Sequence, residues 1–531
     1  MPGTNTSVTD RVNVYNAVNP ATGEILPPAF TEFSVEQVNR AVTTAHSAFH
    51  NYRKKTGEEK AFFLETVGSE LRNMEKELIS RCQLETGLPQ ARLESELTRT
   101  ISQLNLFGEL LREGSWVNAR IDTSQPGRVP LPRPDIRQLQ IAIGTVGIFG
   151  ASNFPFAFSV AGGDTASALA AGCTVVFKAH PAHPGTSELA TQSIISAALK
   201  TGMPEGVFCL VHGQSTETGM AIVSHPLIKA IGFTGSTKGG LAIAAAAAAR
   251  PQPIPVYAEM GSTNPVFILP RALREKSTLL ARSLAASSTL GVGQFCTNPG
   301  LVITMESEDS TAFLQNSGTL FSQTPAGTML SAGISDSYKK GINKLVREKG
   351  AQVIASGKES DGPNSGTSYL LHSSAATVLA DAAMTDEVFG PSTLAITAKD
   401  KNELLEFAES LGGHLTATIH AMPEDLLEFR ELLDILESKV GRIILNGFPT
   451  GVEVCHSMVH GGPFPATTDS RTTSVGTGAI YRFTRPICYQ DFNQDMLPPQ
   501  LSDSNPLKIW RLVDGKFTKD NLSSSQKISS L

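Results

Sequence analysis

Apolar positions along the chain follow two different periods. From 35 to 120 they recur at helical spacing, as in SVEQVNRAVTTAHSAFHNYRKKTGEEKAFFLETVGSELRNMEKELISRCQLETGLP. A Ser with a Glu shortly after opens this region, and Gly87 with Pro89 ends one of its helices. Residues 121 to 138, IDTSQPGRVPLPRPDIRQ, are polar and rich in proline and read as an extended connector or edge ribbon. From 139 the period changes. LQIAIGTVGIFGAS reads as a buried strand and turn, and four helix–strand pairs follow. The strands are CTVVFKAH, GVFCLVHG, IKAIGFTGS and IPVYAEMG, and the helices are GDTASALAAG, GTSELATQSIISAALKTG, TETGMAIVSHP and TKGGLAIAAAAAA. Such alternation implies βαβ units and a doubly wound parallel sheet, which binds ligands beyond the carboxyl ends of its strands.

A second alternating series starts after 261. It holds NPVFILP, a helix near 271 to 290, a glycine-rich loop around Cys296, and the strands LVITME, AQVIASG, TATIHA and GRIILNG. The predicted fold class is therefore α/β, with two doubly wound α/β domains. The tail from about 477, TGAIYRFTRPICYQDF, reads as an edge strand plus an extension. The closing stretch KDNLSSSQKISSL is polar and reads as loose.

A length of 531 residues fits two or three domains. With a net charge of −6 and no basic patch, nucleic acid is not an expected partner. The apolar run LAIAAAAAA, 241 to 249, is too short to span a bilayer and reads as a packed helix, so no membrane span is expected. The start, MPGTNTSVTDRVNVYN, has no secretory or organellar signal pattern. Six scattered cysteines without a CxxC pair or zinc-ligand spacing suggest free thiols in a reducing compartment, hence the cytoplasm, and no metal.

Five stretches put reactive side chains at strand ends or in loops: FGASNFPF with Asn153, VVFKAHPAHPGTSE with Lys178, AEMGSTNP with Glu259, GVGQFCTNPG with Cys296, and DEVFGPSTL with Glu387. Taken singly, each has an ordinary reading. Cys296 could be an inert thiol, Glu259 a helix cap, Lys178 and Glu387 solvated charges, and Asn153 a turn residue.

In this order and at these intervals, however, the five stretches resemble the aldehyde dehydrogenase superfamily over roughly residues 15 to 490, the specific motifs being FTGSTKGG, EMGSTNP, GQFCT and EVFGP. KAHPAHPGTSELA, WVNARIDTSQPGR and MVHGGPFPATTDSRTTSVGTGAIYRFTRPICYQDF resemble the branch that includes alpha-ketoglutarate semialdehyde (2,5-dioxopentanoate) dehydrogenases. That branch is also similar to certain bacterial fatty aldehyde dehydrogenases.

The resemblance implies a dinucleotide-binding domain over 1–121 and 142–258, and a catalytic domain over 259–477. It also implies a small β oligomerisation element over 122–141 and 478–495, a C-terminal extension over 496–531, and a homodimer or homotetramer. Cys296 is then the nucleophile that forms a thiohemiacetal and a thioester. Asn153 and the Cys296 backbone N–H are oxyanion donors, each worth about 3–4 kcal/mol of barrier. Glu259 is the general base for deacylation. Lys178 completes the catalytic set and reaches the adenosine ribose. Gly235 and Ser236 serve the pyrophosphate at a helix N-terminus. Glu387 with Phe389 serves the nicotinamide ribose.

Two positions depart from the family pattern. Pro181 stands where NAD-preferring members carry Glu, so the expected cofactor is NADP, or NAD, with His180, His183 and Lys178 nearby. Ser152 replaces a Trp and leaves one tunnel wall small. Phe156, Phe295, Thr297 and Phe464 are the expected substrate contacts, with Phe448 a further candidate. Arg471, His456 and His460 are candidate cations for an anionic aldehyde. The alternatives weighed against 2,5-dioxopentanoate oxidation are a fatty-aldehyde enzyme, a CoA-acylating member, which Glu259 disfavours, and a non-enzymatic binding protein.

Overall fold

The computed structural model describes residues 13–522. The first twelve residues of the polar start and positions 523–531 of the closing stretch lie outside the described residues.

The helical region resolves into four helices, Val35–Tyr52, Gly57–Asn73, Glu75–Thr86 and Gln90–Glu113. Ser34 and Gln37 form a capping box at the start of the first. Gly87, at φ 67°, ends the third in the left-handed conformation that glycine tolerates, and Pro89 begins the fourth.

Beyond them lies an all-parallel sheet of five strands, in the order Phe208–Val211, Thr174–Lys178, Thr145–Phe149, Ile228–Thr234, Val256–Glu259. The middle strands are buried on both faces, as the continuous apolar runs VVF and VGI require. LQIAIGTVGIFGAS is two strands rather than one. Ile136–Ala142 belongs to a different sheet, and the chain turns at Gly144 before Thr145–Phe149. Nor is the alanine-rich helix Thr237–Ala248 packed all round: only Gly240, Ile243 and Ala247 are buried, so one stripe carries its contacts.

A seven-stranded sheet follows, with Leu301–Met305 at its centre, Val266–Ile268 beside it and His414–His420 next beyond. It is parallel except for the edge strand Gln352–Ser356. Tyr369–Ser374 and Ser392–Ala398, which the apolar pattern did not single out, are interior strands of this sheet.

A third sheet of five strands joins distant parts of the chain, in the order Thr484–Gln490, Ile136–Ala142, Arg120–Asp122, Arg511–Val513, Lys516–Thr518. Residues 477–483 form a 3-10 helix, and the edge strand starts only at Thr484. Up to residue 522 the tail is held: Leu497, Leu501, Ile509 and Val513 build a small core with Ile121 and Leu139, and Leu522 packs against it. Among the described residues no helix is long and apolar enough to cross a membrane.

Candidate active site

The two large sheets face a cavity of about 560 Å³, and strand ends and loops line it. Ser152, Asn153, His180, Gly235, Ser236, Glu259, Cys296, Glu387 and Phe389 all border it. Residues from distant parts of the chain are thus gathered where a doubly wound sheet presents its ligand crevice.

The Cys296 loop connects the helix Pro270–Thr289 to the strand Leu301–Met305. Gly291, Val292 and Gly293 are consecutive left-handed residues, at φ 55°, 58° and 63°. A β-branched valine there is strained, and the surrounding contacts must hold it. Gly293 has no room for a side chain, since a Cβ would meet the Gly390 carbonyl oxygen at 2.3 Å. The nucleophile loop therefore lies directly on the loop that carries Glu387 and Phe389. Asn264, itself left-handed at φ 46°, donates through Nδ2 to the carbonyls of Cys296 (2.8 Å) and Asn298 (2.9 Å) and fixes the far side of the loop.

Around Cys296 the side chains form a tight cluster. His460 Nε2 is 3.4 Å from Cys296 Sγ and 2.9 Å from Glu259 Oε1. Ser474 donates its hydroxyl proton to the other oxygen of Glu259 and its N–H to the His460 carbonyl, at 2.8 Å. The His460 amide donates to Thr473 Oγ1 at 2.8 Å. Glu259 and His460 are each 1% exposed. Burial raises the Glu259 pKa, but His460 and Ser474 outweigh it and hold the carboxyl below its usual range. The Cys296 thiol moves the other way: burial first, then the Glu259 and Glu387 carboxylates, push it well above its ordinary value. Desolvation in the cavity pushes Glu387 up to about 7, although it accepts the Ser262 N–H at 3.2 Å.

The cluster also has its ligand atoms within 4.8 Å of one another. A thiolate, an imidazole and a carboxylate suit a zinc-like ion, so the geometry admits a metal that Cys/His spacing in the sequence did not indicate. An ion there would engage the nucleophile itself.

Asn153 lies across the cavity, 8% exposed, with Nδ2 donating to the Gln294 carbonyl at 3.0 Å. One amide hydrogen remains for a ligand. Its loop is held from the helix Gln90–Glu113. Arg92 Nη2 donates to the Asn153 carbonyl at 3.0 Å and to Glu96 at 3.3 Å, and Glu96 accepts the Phe156 and Ala157 amides. The Arg92 guanidinium lies over Phe154 and Phe295, 4.6 and 4.7 Å from their ring centres. This explains Phe295 beside Cys296: it forms part of a wedge that seats the nucleophile loop.

Some expected site residues stand elsewhere. Phe156 belongs to the core formed by Leu93 and Leu97 rather than to a tunnel wall. Thr297 is buried beside Cys296, at 1% exposure. Phe464 is 63% exposed and is not among the cavity-lining residues. Phe448 lies tilted against His420, 4.8 Å ring to ring, at a separate core. Among the expected cations, Arg471 is 85% exposed and pairs with Asp469, and His456 is exposed and touches Thr477. His460 is buried between Cys296 and Glu259 and cannot wait at a tunnel mouth. The wall next to His460 is instead apolar: Phe158 is 6.0 Å from it ring to ring, in a cluster with Phe154, Val452, Val454 and Met458.

On the cofactor side, Gly235 spends its N–H on the Glu259 carbonyl, at 3.1 Å. Its lack of a side chain is what matters, since a Cβ would meet the Phe233 ring at 2.7 Å. The Ser236 hydroxyl accepts the Gly239 N–H and caps the helix Thr237–Ala248, leaving its own proton to donate. Lys178 reaches the Gly213 carbonyl, and burial brings its pKa down to about 8. Pro181 is half-buried. His183 is buried with Nε2 3.0 Å from the Ala151 carbonyl. His180 accepts the Ala182 N–H at Nδ1, and burial first, then the neighbouring His183 and Lys178, bring its pKa well below the usual range, while burial lowers that of His183 as well. The two histidines therefore offer a 2′-phosphate no positive charge, and Lys178 is the cation of this corner. A cradle of small residues, a capped helix N-terminus and two flanking carboxylates fits a nicotinamide dinucleotide.

Comparison with known proteins agrees with this geometry. Alpha-ketoglutaric semialdehyde dehydrogenase 2 of Azospirillum brasilense is 48% identical over 511 residues, covering 96% of this chain and 97% of that protein. Alpha-ketoglutaric semialdehyde dehydrogenase of Acinetobacter baylyi is 47% identical, covering 92% and 93%. Among solved structures, a mutant of aldehyde dehydrogenase C from Pseudomonas syringae, in complex with NAD+ and octanal, shares the fold at TM-score 0.76 and 21% identity, covering 91% of this chain and 95% of that one. The sequence pattern of the aldehyde dehydrogenase family matches residues 8–464, and the chain belongs to that family.

Proposed function

We propose that this protein oxidises 2,5-dioxopentanoate to 2-oxoglutarate with NADP or NAD, through a thioester on Cys296. The observation that carries the chemistry is the contact of Cys296 Sγ with a His460–Glu259 pair at the head of a dinucleotide-sized cavity. The extended likeness to alpha-ketoglutaric semialdehyde dehydrogenases supports the substrate.

The buried thiol needs a base, and His460, 3.4 Å from its sulfur, takes its proton and releases it to solvent. The Cys296 thiolate then adds to the aldehyde carbon, and the carbonyl π pair moves to oxygen. The free Asn153 amide hydrogen and the Cys296 N–H receive that oxyanion. A bound nicotinamide supplies a two-electron hydride acceptor; Ser236, Lys178, Glu387 and Phe389 would hold that cofactor. As the oxyanion collapses, the carbon loses hydride and becomes a thioester. Glu259 takes a proton from water, the hydroxide adds to the thioester carbon, the C–S bond breaks, and the acid leaves with Cys296 restored as thiolate. Losing Cys296 should therefore abolish turnover: C296A should bind NADP normally and oxidise no aldehyde, and oxidation above a few per cent of the normal rate would refute the assignment.

One observation favours a second reading, oxidation of aliphatic aldehydes: the wall beside His460 is apolar. Each added methylene would then gain up to about 0.8 kcal/mol of binding. Comparing kcat/KM for 2,5-dioxopentanoate with that for hexanal and decanal decides between them. The assembly we propose is a homodimer or homotetramer joined through 122–141 and the edge strand Thr484–Gln490, measurable by light scattering. The six free thiols fit a cytoplasmic protein.

A further inference from the structure

Arg99 lies on the helix Gln90–Glu113, one layer outside the nucleophile. Its guanidinium carbon is 5.3 Å from the centre of the Phe158 ring. Phe158 is 6.0 Å from the His460 ring, and His460 touches Cys296. The side chain is half-buried, and Nη1 is fully shielded from solvent with no hydrogen-bond partner among the described residues. Nor does any carboxylate among the described residues form an ion pair with it.

The other arginines of this neighbourhood are engaged. Arg92 is on Glu96 and the Asn153 carbonyl, and Arg482 is on Asp164 at 3.0 Å. Arg442 donates to the Pro449 and Gly451 carbonyls and so shapes the loop after its strand. The carboxylates near Arg99 are committed as well. Glu96 holds Arg92 and two backbone amides, and Glu453 is exposed and accepts the Val454 N–H. After burial and Glu96, the charges acting on the Arg99 guanidinium include Cys296, Glu453 and Glu259, so the nucleophile and this cation share one electrostatic neighbourhood. A buried N–H without a partner is costly unless a ligand completes it.

We propose that Arg99 is the specificity residue of this enzyme: it receives the distal carboxylate of an anionic semialdehyde whose aldehyde carbon is at Cys296. This rests on the reading of the substrate given above. The four C–C bonds of 2,5-dioxopentanoate span about 5–6 Å. The apolar wall receives the methylenes and the guanidinium receives the charge, bidentate in the manner that its planar fork allows.

The test is the ratio of kcat/KM for 2,5-dioxopentanoate to that for 4-oxopentanal, in which methyl replaces the carboxylate. It is measured for the native enzyme, R99M and R99K. R99M should lower the ratio about 10- to 100-fold, chiefly through KM for the anion, while 4-oxopentanal changes by less than about threefold. R99K, which keeps the charge, should recover part of the ratio. Equal losses for both aldehydes, or R99K no better than R99M, would make Arg99 a packing residue and overturn the proposal. The ratio in the native enzyme tests the substrate reading separately: a value below one refutes that reading, while a further fall in R99M still assigns the carboxylate contact to Arg99.

Discussion

His460 presents Nε2 to Glu259 Oε1 at 2.9 Å while the same atom lies 3.4 Å from the sulfur of Cys296. One imidazole nitrogen thus lies within reach of both the carboxylate and the sulfur. The nucleophile and the deacylating base are therefore connected through one side chain.

The first consequence concerns attack. H460F should bind cofactor as the native protein does and lose the rapid burst of reduced cofactor, by about 10²–10⁴-fold in rate. Stopped-flow absorbance at about 340 nm, where the reduced nicotinamide absorbs, reads it directly. An unchanged burst would remove His460 from the attack step.

Deacylation separates from attack at Glu259 and Ser474. E259Q should retain a stoichiometric burst and lose steady turnover by at least about 10²-fold. Ser474 helps to hold the Glu259 carboxyl below its usual range. Removing its hydroxyl raises that pKa, so the base stays protonated to a higher pH. The acid limb of the kcat–pH profile should therefore move to higher pH in S474A, and a limb that stays in place would detach Ser474 from the base.

The Cys296 thiol is raised by burial and by two carboxylates. Below its pKa the thiolate fraction grows tenfold per pH unit, so iodoacetamide alkylation of the cofactor-free enzyme should accelerate steadily from neutral into alkaline pH. E387Q removes one of the negative charges and should shift this profile to lower pH. Peptide mass spectrometry at Cys296 gives the rates, and a profile that is flat above neutral would contradict the raised thiol.

Cofactor choice turns on Pro181. A ribose 2′-phosphate carries about −1.5 to −2 charge, and no carboxylate stands at this position to repel it. P181E should shift the kcat/KM ratio toward NAD by at least about tenfold. A native enzyme that already strongly favours NAD would contradict the expectation. His180 and His183 are neutral or buried, so replacing either with Gln should change the ratio little.

The parallel sheets were legible in the sequence because burial on both faces leaves continuous apolar runs, as in VVFK and VGIF. Two interior strands were missed: Tyr369–Ser374 and Ser392–Ala398 mix serines and threonines with apolar residues, and their polar groups are satisfied by partners far along the chain, such as Thr393 with Ser288. Asn153, Glu259, Cys296 and Glu387 were legible as candidates because each stands beside glycine or proline at the end of a predicted strand or in a loop. His460 was noticed, but as a mouth cation. Its actual place depends on Thr473 and Ser474 folding back onto it across a loop without periodic pattern. Arg99 is not singled out by the sequence, since spacing cannot show that a guanidinium lacks a partner. The extension from 496 carries no periodic pattern in the sequence, yet Leu497, Leu501, Ile509 and Val513 are enough to anchor it once Ile121 and Leu139 supply the other half of the core.

The contact of Gly293 with Gly390 bears on how this site can be re-engineered. A methyl group at 293 would lie 2.3 Å from the Gly390 carbonyl oxygen, and one at 390 would lie equally close to the Tyr338 ring. Three surfaces therefore meet with no slack between them. A library that varies the nucleophile loop alone, or the Glu387 loop alone, would sample mostly collisions. Residues 290–297, 387–391 and Tyr338 form a single unit of variation, so altered specificity at one would have to be selected together with compensating changes in the others.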